Sequence, residues 1–479
     1  PTVTGALKTD PVELKTELER KAVHIGMGAF ALLLRWMMPW QAVLMALSAV
    51  VLNFFFLHRL TGNRLLRPHE RTRGFSLGIV TYPVMLLLVL VLFRSRLELA
   101  AGVWGLLAVG DGLAAVAGLV LGGPTLRWNR RKRWTGLLTF VVFGTASSAF
   151  LIRWTQRALL GGASGGEATW IGASFMPTGI LDISVSSSLL VGCFVAALVA
   201  ALAESLDTKL DDNFLVPVAG GAVLLVATLV EPFRLLEVGP ALTQSLFIGL
   251  AINAPLALLA YWMRVVDRSG AIGGAMLGVA LFTFSGGSGF LMLVALVVIG
   301  AVVTRFGHDR KAALGIVESD GGRRGAANAF ANTGAGVTFA FLSVVTAQTE
   351  VFTVAMVAAF ATAAFDTTAS EVGVAFGRRH FLVSSFRPVR VGTDGAVSAE
   401  GTAAGIVGSL LVGAGAWAVG LVSGVGLFVV LVGALVGSML ESYMGAVLGP
   451  VRGSDHHLFN LINTLTGAGV ACWLFVFLT

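Results

Sequence analysis

Long apolar runs of helical length, broken by short charged connectors, make up nearly the whole chain, and strand-like alternation is not what organises it. The runs predict about fifteen membrane spans. They lie near 24–39, 41–58, 76–93, 98–122, 135–152, 184–204, 214–231, 241–262, 271–284, 288–304, 326–347, 351–375, 401–419, 424–445 and 457–478. The first and ninth are short enough to be tilted or re-entrant. Ahead of them, DPVELKTELERK predicts an amphipathic surface helix within residues 1–23, with Asp10 as N-cap, Pro11 at the first helical position and Glu13 three residues after the cap.

Composition narrows the class further. The 479 residues are 56% hydrophobic and 12% charged, with mean hydropathy +0.86, so polar material is too scarce to cover a soluble globule. Runs of helical length, not ten-residue alternating strands, exclude an outer-membrane barrel. The expected class is therefore all-α, a polytopic transmembrane helical bundle. Its 60 glycines suit closely packed membrane helices, and Cys193 and Cys472, far apart in apolar runs, suit inert thiols.

Charge sets an expected orientation. Of the 33 Lys and Arg residues, all but Arg35, Arg94, Arg96, Arg153, Arg157 and Arg234 fall on the N-terminal side of the span model. The positive-inside rule then puts the N-terminus in the cytoplasm and the C-terminus outside. The net charge of +7 belongs to cytoplasmic loops, and no nucleic-acid partner is implied.

Acidic residues inside apolar spans are the chemical signal. A carboxylate at mid-span costs about 3 kcal/mol even on mild insertion scales, so each needs a partner or a cation. VGDGLAAVAG carries Asp111, and AESLDTKLDDN follows with Glu204, Asp211, Asp212 and Asn213. FDTTASEVG carries Asp366 and Glu371, and LESYMGAVLG follows with Glu441, then DHHLFN with Asp455 and Asn460. Each set sits eight spans from its counterpart, which predicts two parallel seven-span repeats joined by one span. The boundaries expected are 24–232, a linking span at 233–266, and 267–479.

Carboxylates and a carboxamide supply hard oxygen ligands for Mg²⁺, and the neighbouring Arg and Lys residues supply hydrogen bonds for phosphate oxygens. In the first copy those are Arg127, Arg130, Arg131, Lys132 and Arg133; in the second, Arg378, Arg379, Arg387 and Arg390. Together they suit a polyphosphate with its metal at the membrane surface. Bland readings compete: topology signalling or anionic lipid for the basic loops, an interhelical hydrogen bond for Asp111 or Asp366. His24 reads as a packing or surface-anchoring residue, and the adjacent His456 and His457 make a poor chelate. No P-loop, dinucleotide fingerprint or protein-kinase motif is present.

At these residues the chain resembles known families. ERKAVH at Glu19 to His24, GDGLA at Gly110 to Ala114, the NRRKRWTG loop and AESLDTKLDDNFLVP are similar to the phytol kinase and dolichol kinase group of CTP-dependent membrane lipid-alcohol kinases, relatives of phosphatidate cytidylyltransferase. From about Arg268 onward, GRRGAANAFANT, DTTASEVG, VGTDGAVSAEGTAAG, GSMLESYMGA and NLIN resemble the phytyl-phosphate kinase family. The resemblance implies a fusion that converts a prenyl alcohol to its monophosphate and then its diphosphate, with CTP as donor and Mg²⁺ as cofactor. The implied partners are an isoprenoid alcohol such as phytol, geranylgeraniol or farnesol, its monophosphate, and the bilayer.

The residues expected to act are Asp111, Glu204, Asp212, Asp366 and Glu441, with Asp111, Asp212, Asp366, Glu371 and Glu441 as metal ligands. Phosphate and nucleotide contacts are expected from Lys21, Arg73, Arg131, Lys132, Asn213, Arg323, Arg324, Asn328, Ser370, Arg390 and Asn460. Two other readings stay open: a cytidylyltransferase making a CDP-lipid, and a secondary transporter, which also shows repeats and intramembrane acids.

Overall fold

A computed structural model describes residues 11–56, 77–161, 182–208, 210–305, 324–449 and 454–479. The fold is an all-α polytopic bundle. Among the described residues eleven helices are long and apolar enough to cross a membrane, and Ile79–Leu92 and Asp212–Ala227 are shorter apolar helices. The chain divides into two compact units, Pro1–Thr228 and Leu229–Thr479.

In the first unit, α1 (Pro11–Met27) runs into a 3₁₀ segment (Gly28–Trp36), followed by α2 (Pro39–Val51), α3 (Leu77–Leu92) and α4 (Leu97–Gly105). A π-helical turn (Leu106–Asp111) joins α4 to α5 (Gly112–Val120); α6 (Trp134–Gly161), α7 (Asp182–Glu204) and α8 (Asp212–Ala227) complete the unit. The amphipathic N-terminal helix thus extends past residue 23 and carries His24. What remains of the expected first span is nine residues of 3₁₀ helix, about 18 Å at ~2 Å per residue. Asp10, the expected cap, lies outside the described residues.

The α4–π–α5 rod is the core of this unit: every residue of α4 is buried, and α6, α8 and α1 pack around the rod. Gly110 and Gly112 flank Asp111 because the neighbours press close there. A Cβ on Gly110 would meet Phe140 of α6 at 2.9 Å, and one on Gly112 would collide with Ile25 of α1. The GDG spelling is thus a packing requirement that lets two helices touch the rod on either side of its acid.

The second unit opens with α9 (Pro232–Trp262) and α10 (Arg268–Arg305), then α11 (Ala326–Val345) and α12 (Thr349–Phe376). Three short strands, β1 (His380–Leu382), β2 (Pro388–Val389) and β3 (Ala396–Val397), form an antiparallel sheet of order β2-β1-β3 in the basic loop, where the span model has no regular structure. α13 (Ala399–Ala418), α14 (Gly424–Leu448) and α15 (Ser454–Leu478) follow. The stretch expected as a linking span is α9, which packs on α10 and belongs to this unit. The spans expected at 271–284 and 288–304 are one helical element, α10, broken at Gly286, whose φ of 64° only glycine adopts freely.

Here α12 is the central rod, more buried than any other candidate span, with 78% of its apolar window inside. Its alanines 355, 358, 359, 361, 363 and 364 are fully buried, since α11, α13, α14 and α15 approach too closely for larger side chains. α14 and α15 meet at Gly437, where a Cβ would lie 2.7 Å from the Asn463 carbonyl oxygen and 2.8 Å from Thr362 Cγ2. Gly437→Ala is therefore expected to destabilise the purified protein in detergent by about 1–3 kcal/mol. Gly469→Ala, on open surface of α15, is the control expected to leave thermal unfolding unchanged; equal melting of the two variants contradicts the packing.

Candidate functional site

In the first unit three acids converge from three places in the sequence. Asp111 ends the π-helical turn, Glu204 ends α7, and Asp212 begins α8 behind the Asp211 cap, whose carboxylate accepts from Asn213 N at 2.8 Å. Ligand atoms of Asp111, Glu204 and Asp212 all lie within 4.8 Å of one another. Asp111 is 1% exposed, Glu204 is 5% exposed and Asp212 is half-buried.

Two lysines compensate this charge, and a histidine packs beside them. Lys21 Nζ donates to Asp111 Oδ2 at 2.8 Å, and Lys132 Nζ donates to Asp212 Oδ2 at 2.9 Å and to Glu204 Oε1. His24 Nε2 lies 2.8 Å from the Leu107 carbonyl and 3.4 Å from Asp111 Oδ2, with Tyr82 edge-on to its ring. That carbonyl belongs to the π-turn, so His24 ties α1 to the turn that ends at Asp111. His24 thus packs as expected, and its neighbour is the acid. The second oxygen of Asp111, Oδ1, is buried with no hydrogen-bond partner among the described residues.

Lys132 reaches the acids because its loop is pinned. Asn129 Nδ2 donates to the Ser205 carbonyl (3.1 Å), Trp128 Nε1 donates to Ser205 Oγ (3.0 Å), and the Asn129 carbonyl accepts from Lys132 N (3.1 Å). Burial alone would push the Lys132 ammonium down, but the carboxylates of Glu204, Asp212 and Asp111 outweigh it and hold the group above its ordinary value. With the folded value raised, the ammonium's own share of the stabilisation is complete below about pH 10.5 and is lost only above that, so the ammonium itself does not titrate near neutrality. Of the other loop cations, Arg127, Arg130 and Arg131 are exposed, and only the Arg131 amide bonds inward, to Asn129 Oδ1 (3.0 Å). Asn129 and Trp128 were not singled out from sequence, since neutral side chains carry no charge signal.

In the second unit Asp366 of α12 and Glu441 of α14 meet side chain to side chain. Two carboxyl groups in contact need a shared proton or a cation between them. Carboxamides surround the pair. Asn463 Nδ2 donates to Glu441 Oε2, and Asn460, in the amide orientation that satisfies both ends, donates to Glu441 Oε1 (2.9 Å) and accepts from Asn332 Nδ2 (3.3 Å). Asn460 and Asn463 share a face of α15 by their i,i+3 spacing. Asn332 and Asn463 stand in the FANT and NLIN motifs but were not expected in the site.

Other expected residues fall elsewhere. Glu371 is buried on α12, but five residues beyond Asp366 puts it about 140° around the helix. Among the described residues it joins no three-ligand group with Asp366 and Glu441. Ser370 is exposed and turns its hydroxyl to the Thr367 carbonyl (3.2 Å). Arg390 is exposed after β2, Asn328 contributes its carbonyl to Asn332 Nδ2 (2.9 Å), and the Arg324 guanidinium lies against Gly300 of α10. Arg73 and Arg323 lie outside the described residues.

Residues 251–457 match the model of an integral membrane protein family, DUF92. An uncharacterised membrane protein of Synechocystis sp. is 35% identical over 235 residues, covering 48% of this chain and 87% of its own length. The chain belongs to the DUF92 family. A second relative is the chloroplastic protein VTE6 of Arabidopsis thaliana, 31% identical over 213 residues, with 43% of this chain and 64% of VTE6 covered. An uncharacterised membrane protein of Methanocaldococcus jannaschii is 31% identical over 168 residues, with 35% of this chain and 68% of its own length covered. No solved structure matches. The DUF92 match contains Asp366, Glu441 and Asn332, while the acid triad of the first unit lies outside it.

Removing one partner of a buried ion pair costs more than removing both. Lys21→Met is therefore expected to destabilise the protein by about 3–5 kcal/mol, and Lys21→Met with Asp111→Asn by clearly less than the two single changes added. Denaturant unfolding in detergent measures the cycle, and strict additivity contradicts the pairing.

Proposed function

We propose that the protein is a bifunctional membrane lipid kinase. Its first unit phosphorylates a prenyl alcohol to the monophosphate and its second unit carries the monophosphate to the diphosphate, with CTP as donor. The reading rests most on one observation: in each unit the most buried rod holds an aspartate whose side chain is joined by a glutamate from a neighbouring helix. The motif resemblance of the second half supports a prenyl-phosphate chemistry for the second unit, which also carries the DUF92 match.

The donor sets fit a hard divalent cation. Asp111, Glu204 and Asp212 would hold Mg²⁺ in the first unit, and Asp366 and Glu441 with the carboxamides in the second. The metal supplies charge neutralisation at the phosphate oxygens. The protein's own groups do the rest. A primary alcohol must lose a proton as it attacks, and Asp212, the most open carboxylate of its triad, is assigned to receive it. Lys21 and Lys132 stand within the first site to meet phosphate oxygens. A phosphate monoester is already anionic, so the second site needs no base, in keeping with an acid pair flanked by neutral carboxamide donors and acceptors. The prenyl tail lies among helices in the bilayer, and both headgroup sites face the cytoplasm under the positive-inside orientation.

Purified protein with Mg²⁺, CTP and phytol tests the division of labour. Asp111→Asn is expected to give no product from phytol while still converting supplied phytyl phosphate; Asp366→Asn is expected to accumulate monophosphate. Diphosphate from phytol in both variants contradicts the site assignment.

A further inference from the structure

We infer that Lys132 is a built-in stand-in cation: its ammonium holds the position among Glu204 and Asp212 that a divalent metal takes, and the metal must displace it. The inference rests on reading the first unit as a metal-dependent phosphoryl-transfer site. Three observations carry it. Nζ of Lys132 bonds carboxylates from two different helices, α7 and α8, which is the bridging position of a cation. The third carboxylate, Asp111, is satisfied at Oδ2 by Lys21 and keeps Oδ1 buried with no hydrogen-bond partner among the described residues, while one of its oxygens lies within 4.8 Å of carboxylate oxygens of Glu204 and Asp212. One oxygen ligand is thus prepared beyond what the two lysines use, as a cation with several oxygen ligands requires and an ammonium does not.

The third observation is the tether. Lys132 comes from a loop rather than a helix, and that loop is fastened to the end of α7 by neutral hydrogen bonds from Asn129 and Trp128 to Ser205. A loop lysine on a four-carbon stem swings its ammonium by rotamer changes alone. Displaced from the carboxylates, the same ammonium is free for the phosphate oxygens that accompany the metal. Arrival of metal and grip on phosphate are thereby coupled, and without metal the acids do not sit uncompensated in the bundle.

Mn²⁺ binding followed by electron paramagnetic resonance, without nucleotide, reads this directly. The full chain is used in an Asp366→Asn background so that the first unit is counted. Lys132→Met should bind Mn²⁺ at least about tenfold more tightly than the parent, because a competing charge is gone; unchanged or weaker binding overturns the inference. In the parent protein, which needs no folding control, Mg²⁺ should speed labelling of Lys132 by an amine-reactive ester several-fold, and an unchanged or slower rate overturns it. Asp111→Asn separates the two levels of the argument. If it binds Mn²⁺ as the parent does, the metal reading of the site fails; if it loses Mn²⁺ while Lys132→Met gains none, the metal reading stands and the stand-in role falls.

Discussion

A carboxylate inside an apolar helix is the constraint from which the rest follows. Asp111 is all but inaccessible to water, and an isolated charge there is affordable only against a counter-charge. The N-terminal helix α1 supplies Lys21, with His24 packed beside it, and a pinned loop supplies Lys132 for the neighbouring acids. Close approach of α1 requires Gly112, and close approach of α6 requires Gly110. The arrangement of helices around the rod is thus bound up with the need to compensate one charge.

The second unit meets the same constraint by other means. Its acid pair is flanked by Asn332, Asn460 and Asn463, which share hydrogen bonds with Glu441 and with each other. Carboxamides satisfy lone pairs without neutralising charge, so this cluster depends on a proton or a cation in a way the lysine-bearing cluster does not. The difference suits the two proposed steps, one with an alcohol that must be deprotonated and one with a phosphate already charged.

Much of the architecture could be read from the chain, because helix length and apolarity are local properties. The helical class and the acids Asp111, Glu204, Asp212, Asp366 and Glu441 were visible as departures from an apolar background, and the structure brings them into two clusters. What could not be read was partnership across long separations. Nothing local pairs Lys21 with Asp111, ninety residues on, or marks Lys132 rather than Arg131 as the inward cation of its loop. Glu371 looked like Asp366 in kind but points elsewhere, a matter of helical phase. Asn332 and Asn463 escaped notice because a neutral carboxamide in a span is unremarkable until its neighbour is a buried acid. The kink at Gly286 and the small sheet carrying the arginines were likewise set by packing, not by hydropathy.

The central claim is that the γ-phosphoryl group of CTP is transferred to lipid. Incubating the purified protein and Mg²⁺ with phytol and CTP labelled either at the γ or at the α phosphorus tests it most directly. The account predicts γ-label in both phosphates of the lipid diphosphate, CDP as the released nucleotide, and no α-label in lipid. Lipid carrying α-label, with pyrophosphate released, contradicts it and makes the protein a cytidylyltransferase.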